Sequence, residues 1–263
     1  MSRFSLFLLL ALPLAAQSKL ERGKKILDEA LEALGGARFL AVQDREEEGR
    51  VYSFYREALQ GLSIARIYTR YVLKPDSPPA DFIGVYERQS FGKKKEDSAV
   101  LFNESGGYQV SYRGATPLPA DRVERYREST MHNVFYILRQ RLNEKGLLFD
   151  FQSSEVFQNL PVDVVNITDS ENRITTVYFH HSTKLPVRQV FFHRDPTSKE
   201  KDQEVTIFAK YRDVGGGVKW PFNIMRERNG EKIFEIFSES VKINVGLKDD
   251  LFQLPSGVKM LKQ

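Results

Sequence analysis

The chain has 263 residues, 41% hydrophobic content, no cysteine and a net charge of +4. It is long enough to bury a sizeable core unaided, and without cysteine it can form no disulfide and carry no lipid on an N-terminal cysteine. Its cations are not gathered: Lys93-Lys94-Lys95 runs straight into Glu96 and Asp97, whereas a nucleic-acid binder concentrates Lys and Arg on one face, so nucleic acid is not an expected partner.

The chain opens with a positively charged Met1-Ser2-Arg3, an apolar stretch over 4–14 broken only by Ser5 and Pro13, and then Ala15-Ala16-Gln17. That order is the pattern of a cleavable secretory signal. The expected cut follows Ala16, although Leu14 is large for the −3 position. A membrane anchor needs about 20 apolar residues, and here Gln17-Ser18-Lys19 ends the run. The expected domains are therefore a signal peptide over 1–16 and one folded domain over 17–263. The expected address is the periplasm, with secretion beyond the cell as the alternative.

Leu20, Ile26, Leu27, Ala30, Leu31 and Leu34 recur at three- and four-residue spacing, which predicts a helix with one apolar stripe. Gly35-Gly36 supplies its stop. Strands follow over 49–56, 62–73, 82–91 and 99–103, separated by turn residues. In 62–73 the odd positions Ala65, Ile67, Tyr71 and Leu73 are apolar while Arg66 and Arg70 alternate with them, the pattern of a sheet wet on one side.

A second helical block is predicted over 120–143, within an insertion at about 119–145. Val123, Tyr126, Val134, Phe135, Leu138 and Leu142 share a face, and Gly146 follows as a stop. Ser129-Thr130-Met131-His132-Asn133 is expected to break or kink the block, because Ser, Thr and Asn compete for backbone hydrogen bonds.

The remainder reads as strands over 148–156, 162–168, 174–180, 187–193, 203–211, 218–228 and 232–244. Asn229-Gly230 is a two-residue hairpin signal. The total is roughly ten or eleven strands, nearly all joined by hairpins. Neighbours such as Phe191 and Phe192, or Ile233, Phe234, Ile236 and Phe237, are apolar on both faces. Either a closed two-layer core or a curved sheet with an apolar inner surface would use them.

Catalytic signals are absent from the sequence. Of the four histidines, His132, His180, His181 and His193, the adjacent pair points to opposite faces of a strand, and no spacing joins the others to a metal site. There is no Gly-x-Ser-x-Gly elbow. Gly215-Gly216-Gly217 lacks the spacing of a phosphate loop and leads into Trp220-Pro221, so a wide hairpin turn is expected. No enzyme activity, cofactor or metal is expected.

Two segments resemble the strand–turn–strand elements of the lipoprotein-carrier superfamily, the LolA-type outer-membrane lipoprotein-sorting proteins and their relatives. They are the run from Tyr178 to Val187, with His180-His181 where an Asp is common, and the run from Tyr211 to Phe222, with Trp220 in place of a frequent Leu. The resemblance implies a mainly β (α+β) fold: a single antiparallel, incomplete β-barrel with helices over its concave face. It also implies a carrier of lipid, or of the acyl chains of lipoproteins, with transient membrane contact. Candidate cavity and lid residues are then Ala65, Ile67 and Tyr71; Val134, Phe135, Leu138 and Leu142; and Val205, Ile207 and Tyr211. A protein-interaction or sensor module for envelope partners, using the loops at 74–80 and 195–202, is the alternative on the same scaffold. An enzyme with an unrecognised site is the third reading.

Overall fold

A computed structural model describes residues 11–72, 82–93, 96–194 and 199–262, with side chains from Ser18 onward. Of the expected signal segment, residues 1–10 lie outside the described residues, and 11–16 are described only as helical backbone. The loop at 74–80 and part of that at 195–202 also lie outside them.

Helix α1, Ala11–Leu34, buries Ile26, Leu27, Ala30 and Leu34 along the predicted stripe. It ends at Gly35 and Gly36, both at positive φ, where a Cβ would be strained. The short helix α2, Ala37–Leu40, follows and drops Phe39 into the core.

Among the described residues, thirteen strands then form one antiparallel sheet. They are β1 Asp44–Tyr55, β2 Ala58–Tyr71, β3 Val85–Phe91, β4 Ser98–Asn103, β5 Gly106–Ser111, β6 Gly114–Pro117, β7 Leu148–Phe157, β8 Leu160–Thr168, β9 Ile174–His180, β10 Pro186–Arg194, β11 Lys201–Asp213, β12 Lys219–Arg228 and β13 Glu231–Ile243. The expectation of ten or eleven is corrected by β5 and β6. Their Gly106, Gly107, Gly114 and Pro117 read as turn residues in sequence, yet both strands pair in register with their neighbours.

The strand order, β6-β5-β4-β3-β2-β1-β13-β12-β11-β10-β9-β8-β7, is two meanders joined where β1 pairs with β13. β6 and β7 follow one another in sequence but form opposite edges, so the sheet does not close. The segment between them has to travel from one edge to the other. It contains α3, Ala120–Met131, then α4, Val134–Tyr136, which continues as a π-helical turn over Ile137–Arg141. The break falls inside the expected stretch. Asn133 caps α4, its side-chain oxygen accepting from the backbone N–H of Phe135 and Tyr136.

Two neighbouring residues of α3 reveal how strongly the sheet curves. Tyr126 stacks on Phe102 of β4 with ring centroids 3.6 Å apart, while Arg125 donates to Glu204 of β11 at 3.2 Å. In a flat sheet, β4 and β11 would be about 29 Å apart at ~4.8 Å per strand. The sheet is therefore wrapped into an open half-barrel, and α3 bridges its concave side.

The main core lies towards the β7 half, where α1 and α4 pack on β7–β9, β11 and β12. Both edges are covered. α1 lies on β7 so closely that a Cβ on Gly23 would stand 2.1 Å from the Phe149 carbonyl oxygen. Along β6, Ala115 donates to the Lys259 carbonyl at 2.9 Å and accepts from Leu261 N–H at 2.8 Å.

Candidate functional site: a cavity with an arginine annex

The concave side holds a cavity of about 720 Å³ between the sheet and the α3–α4 segment. Strand alternation decides what faces it. On β2 the inward residues include Ala65, Ile67, Thr69 and Tyr71, and on β3 they are Val85, Glu87, Gln89 and Phe91. Ile224 of β12 and Phe234 and Ile236 of β13 complete an apolar floor with Val51, Ala65, Ile67 and Phe91. Leu62, an exposed residue, stands at the rim.

Polar residues enter in two cross-strand rows. Arg45, Thr69 and Glu87 are register partners across β1, β2 and β3. Arg226, Thr206 and Gln189 are register partners across β12, β11 and β10. Glu87 lies within the fields of both rows. Burial pushes its carboxyl up from the ordinary value, against the Gln89 hydrogen bond and the positive charges of Arg45 and Arg226. Arg45 lies over the Trp220 ring at 3.9 Å and donates to Thr69 Oγ1 at 3.0 Å. Its Nε is 3.7 Å from Glu47, whose other carboxylate oxygen accepts from Ser238.

Three polar atoms of lining residues are buried without a hydrogen-bond partner among the described residues: Arg45 Nε, Trp220 Nε1 and Tyr126 Oη. Such atoms are rare, because an unmade buried hydrogen bond costs about 1–3 kcal/mol. All three are sealed from the cavity space as well as from solvent, so they belong to its supporting wall.

A smaller annex of about 200 Å³ opens beside it, under α3. It shares Arg122, Tyr126, Ser129, Arg226 and Ile233 with the main cavity and adds Arg125, Arg228, Glu128, Glu204 and His193. Burial lowers the Arg226 pKa from its ordinary value, partly offset by Glu204.

Of the ten candidate residues, Ala65, Ile67, Tyr71 and Phe135 line the cavity. Val134 and Leu138 are fully buried in the main core, and Leu142 and Tyr211 pack against it. Val205 and Ile207 alternate with Thr206 and Phe208, the residues by which β11 meets the cavity, so they occupy the opposite face. Tyr211 returns to the core side because Lys210, at φ 57°, interrupts the alternation. Its hydroxyl donates to the Pro186 carbonyl at 2.7 Å. The charged lining was missed by sequence reading, since Arg, Glu and Gln in alternation look like a solvated face. A faint signal existed: Arg45 and Glu47 share parity on β1, as Glu87 and Gln89 do on β3.

The two carrier-like segments are both hairpins. His180 acts as a turn acceptor, its Nδ1 accepting from the N–H of Ser182 and Thr183 at 3.2 and 3.1 Å. In the other, Asp213 accepts from the N–H of Gly215 and Gly217 at 2.8 and 3.3 Å. The glycines form the β11–β12 turn.

Solved structures share this architecture. A candidate outer membrane lipoprotein-sorting protein domain from Vibrio parahaemolyticus matches with a TM-score of 0.55 at 15% identity, covering 88% of this chain and 97% of that one. A LolA superfamily protein from Nitrosomonas europaea matches with a TM-score of 0.53 at 10% identity, covering 88% and 97%. The fold is LolA-like. A DUF1329 family protein from Desulfovibrio piger, with a TM-score of 0.52 at 13% identity over 89% and 97%, is similar to this LolA-like chain as well. No protein-family model matches the chain, and no curated protein matches it.

Proposed function

We propose that this protein is a non-enzymatic carrier or binding protein for lipid, or for the acyl chains of lipoproteins, working in the cell envelope after removal of residues 1–16. The observation that carries the reading is the roofed cavity of about 720 Å³ with an apolar floor on β1–β3, β12 and β13. Its size falls within the roughly 300–1,000 Å³ of ordinary ligand pockets. Burial of each methylene contributes about 0.8 kcal/mol, so a twelve-carbon chain gains enough to compete with a membrane. The hairpin joining β1 to β2 presents exposed Tyr55, Leu59 and Leu62 beside the rim, a suitable point for transient contact with a bilayer.

Export and cargo are tested together. The full chain is expressed in a bacterium, recovered from the periplasm and weighed intact by native mass spectrometry. The expected result is a chain beginning at Gln17 that carries a co-purifying lipid and binds the apolar dye N-phenyl-1-naphthylamine. A chain that stays in the cytoplasm removes the envelope reading. One that carries no lipid and binds no dye removes the carrier reading.

The exposed Tyr55, Leu59 and Leu62 also favour a second reading, a docking module for an envelope protein. In-cell crosslinking from position 59 would then capture one stoichiometric protein partner in place of lipid.

A further inference from the structure

Arg226 is a guanidinium in a poor place for one. It shares a face of β12 with Ile224, two residues away, and its cross-strand partner is Phe234, so it emerges at the edge of the apolar floor. Residues i and i+2 of a strand are about 7 Å apart, so a head held at Arg226 leaves the chain to start beside Ile224. Its hydrogen bond goes to a neutral acceptor, Ser129 Oγ of α3, at 2.8 Å.

The carboxylates nearby are engaged with other groups. Glu204 is shared between Arg125 at 3.2 Å and Arg228 at 2.8 Å, and Asp202 lies 3.9 Å from Arg125. Glu128 pairs with His193. Arg122, exposed where the annex meets the cavity, makes no side-chain hydrogen bond or ion pair among the described residues. The annex thus carries four guanidiniums against two carboxylates. A planar guanidinium fork matches the oxygens of a phosphate or carboxylate, and a buried cation is stabilised chiefly by an anion.

We propose that the annex is a headgroup site: the protein selects amphiphiles with an anionic head, seating the chain on Ile224, Phe234 and Ile236 and the head between Arg226 and Arg122. The inference rests on the carrier reading and narrows its ligand to one charge class. Deeper in the cavity Arg45 already has Glu47 at 3.7 Å, and Glu87 accepts from Gln89, so the surplus of guanidiniums lies at the annex and places the head there.

The test uses the mature chain loaded with N-phenyl-1-naphthylamine and displaced by three amphiphiles below their micellar concentrations: dodecyl phosphate, dodecyltrimethylammonium and dodecyl maltoside. Dodecyl phosphate is expected to displace the dye at a tenfold or more lower concentration than dodecyltrimethylammonium. Arg226→Gln is expected to erase that preference and leave dodecyl maltoside unaffected. Arg122→Gln, on the exposed face of α3, should weaken dodecyl phosphate severalfold even if the first variant folds poorly. Sodium phosphate without a chain should leave the dye in place. Equal displacement by cation and anion, or a preference that survives both variants, overturns the headgroup site while leaving the carrier intact. Displacement by sodium phosphate alone would overturn the joint recognition of head and chain. Failure of the dye to bind at all strikes the carrier reading itself.

Discussion

His132 is the side chain through which acid should weaken this protein. It is 4% exposed, stacked on Phe191 at 4.3 Å, with Nδ1 2.7 Å from Thr175 Oγ1. Burial, reinforced by Arg173 and Arg141 and opposed by Asp169, lowers its pKa to about 4 from 6.5. The unfolded chain therefore takes a proton that the folded chain refuses. The resulting stability is fully present above pH 6.5 and is lost as pH falls towards 4, amounting to about 3 kcal/mol. Asp169 continues the trend in stronger acid: burial would raise its carboxyl, but hydrogen bonds from Arg141 and Arg173 hold it at about 2. Urea unfolding at pH 7.5 and 4.5 should show the loss, and His132→Phe should remove most of the difference. Unchanged midpoints between those two pH values would refute this account. None of this was legible in the sequence, where His132 stood as part of a helix-breaking run and as one of four histidines with no metal spacing. Partners such as Thr175 and Phe191 arrive from strands about 40 or more residues away.

At the scale of elements, the two parts of the crossing segment are held in opposite ways. α3 contains no buried residue; it is attached by the tips of Arg125, Glu128 and Ser129, by the stack of Tyr126 on Phe102, and by Tyr126 and Met131 against Ile83, Val85 and Tyr136. In α4 and its π-helical extension, Val134 to Leu138 are all buried. There Phe135 packs against Phe208 and Trp220 at 5.0 and 4.7 Å, Gln189 accepts from Val134 N–H, and Tyr136 donates to the Ile83 carbonyl at 2.6 Å. α3 is thus the part able to lift from the cavity without unfolding the core. Hydrogen exchange should run on the order of a hundredfold faster in α3 than in α4. Phe135→Ala should cost about 3–5 kcal/mol, while Tyr126→Ala, at a half-buried ring, should cost less, roughly 1.5–3 kcal/mol, and speed dye release. Equal protection of both helices would remove α3 as the moving piece. The apolar periodicity placed both helices correctly, but it could not rank them: Val123 and Tyr126 fit the same stripe as Phe135 and Leu138. What separates them is the depth of the sheet beneath, which depends on curvature.

Curvature and closure belong to the whole molecule; local pattern left both open, and only the resemblance to the lipoprotein-carrier superfamily implied an incomplete barrel. Alternation in β2, β11 and β12 reads the same in a sealed barrel as in an open sheet. The outcome depends on whether β6 pairs with β7, and here both edges are already occupied. α1 lies against β7 through the gap left by Gly23, and residues 259–261 bond to β6 at Ala115. Neither cover can be recognised from local pattern, because each joins residues from distant parts of the chain. An uncovered edge presents unpaired N–H and C=O groups to other chains. Deleting the chain from Gly257 onward should therefore expose the Ala115 N–H and carbonyl and produce concentration-dependent dimers or larger species by light scattering. Gly23→Ala tests the other edge, where the added methyl would meet the Phe149 carbonyl. It should destabilise the fold by about 1–3 kcal/mol and loosen α1 from β7. If the truncated chain stays monomeric and Gly23→Ala is neutral, the two covers do not protect the edges. The open form of the half-barrel would then have to come from the sheet and the crossing helices alone.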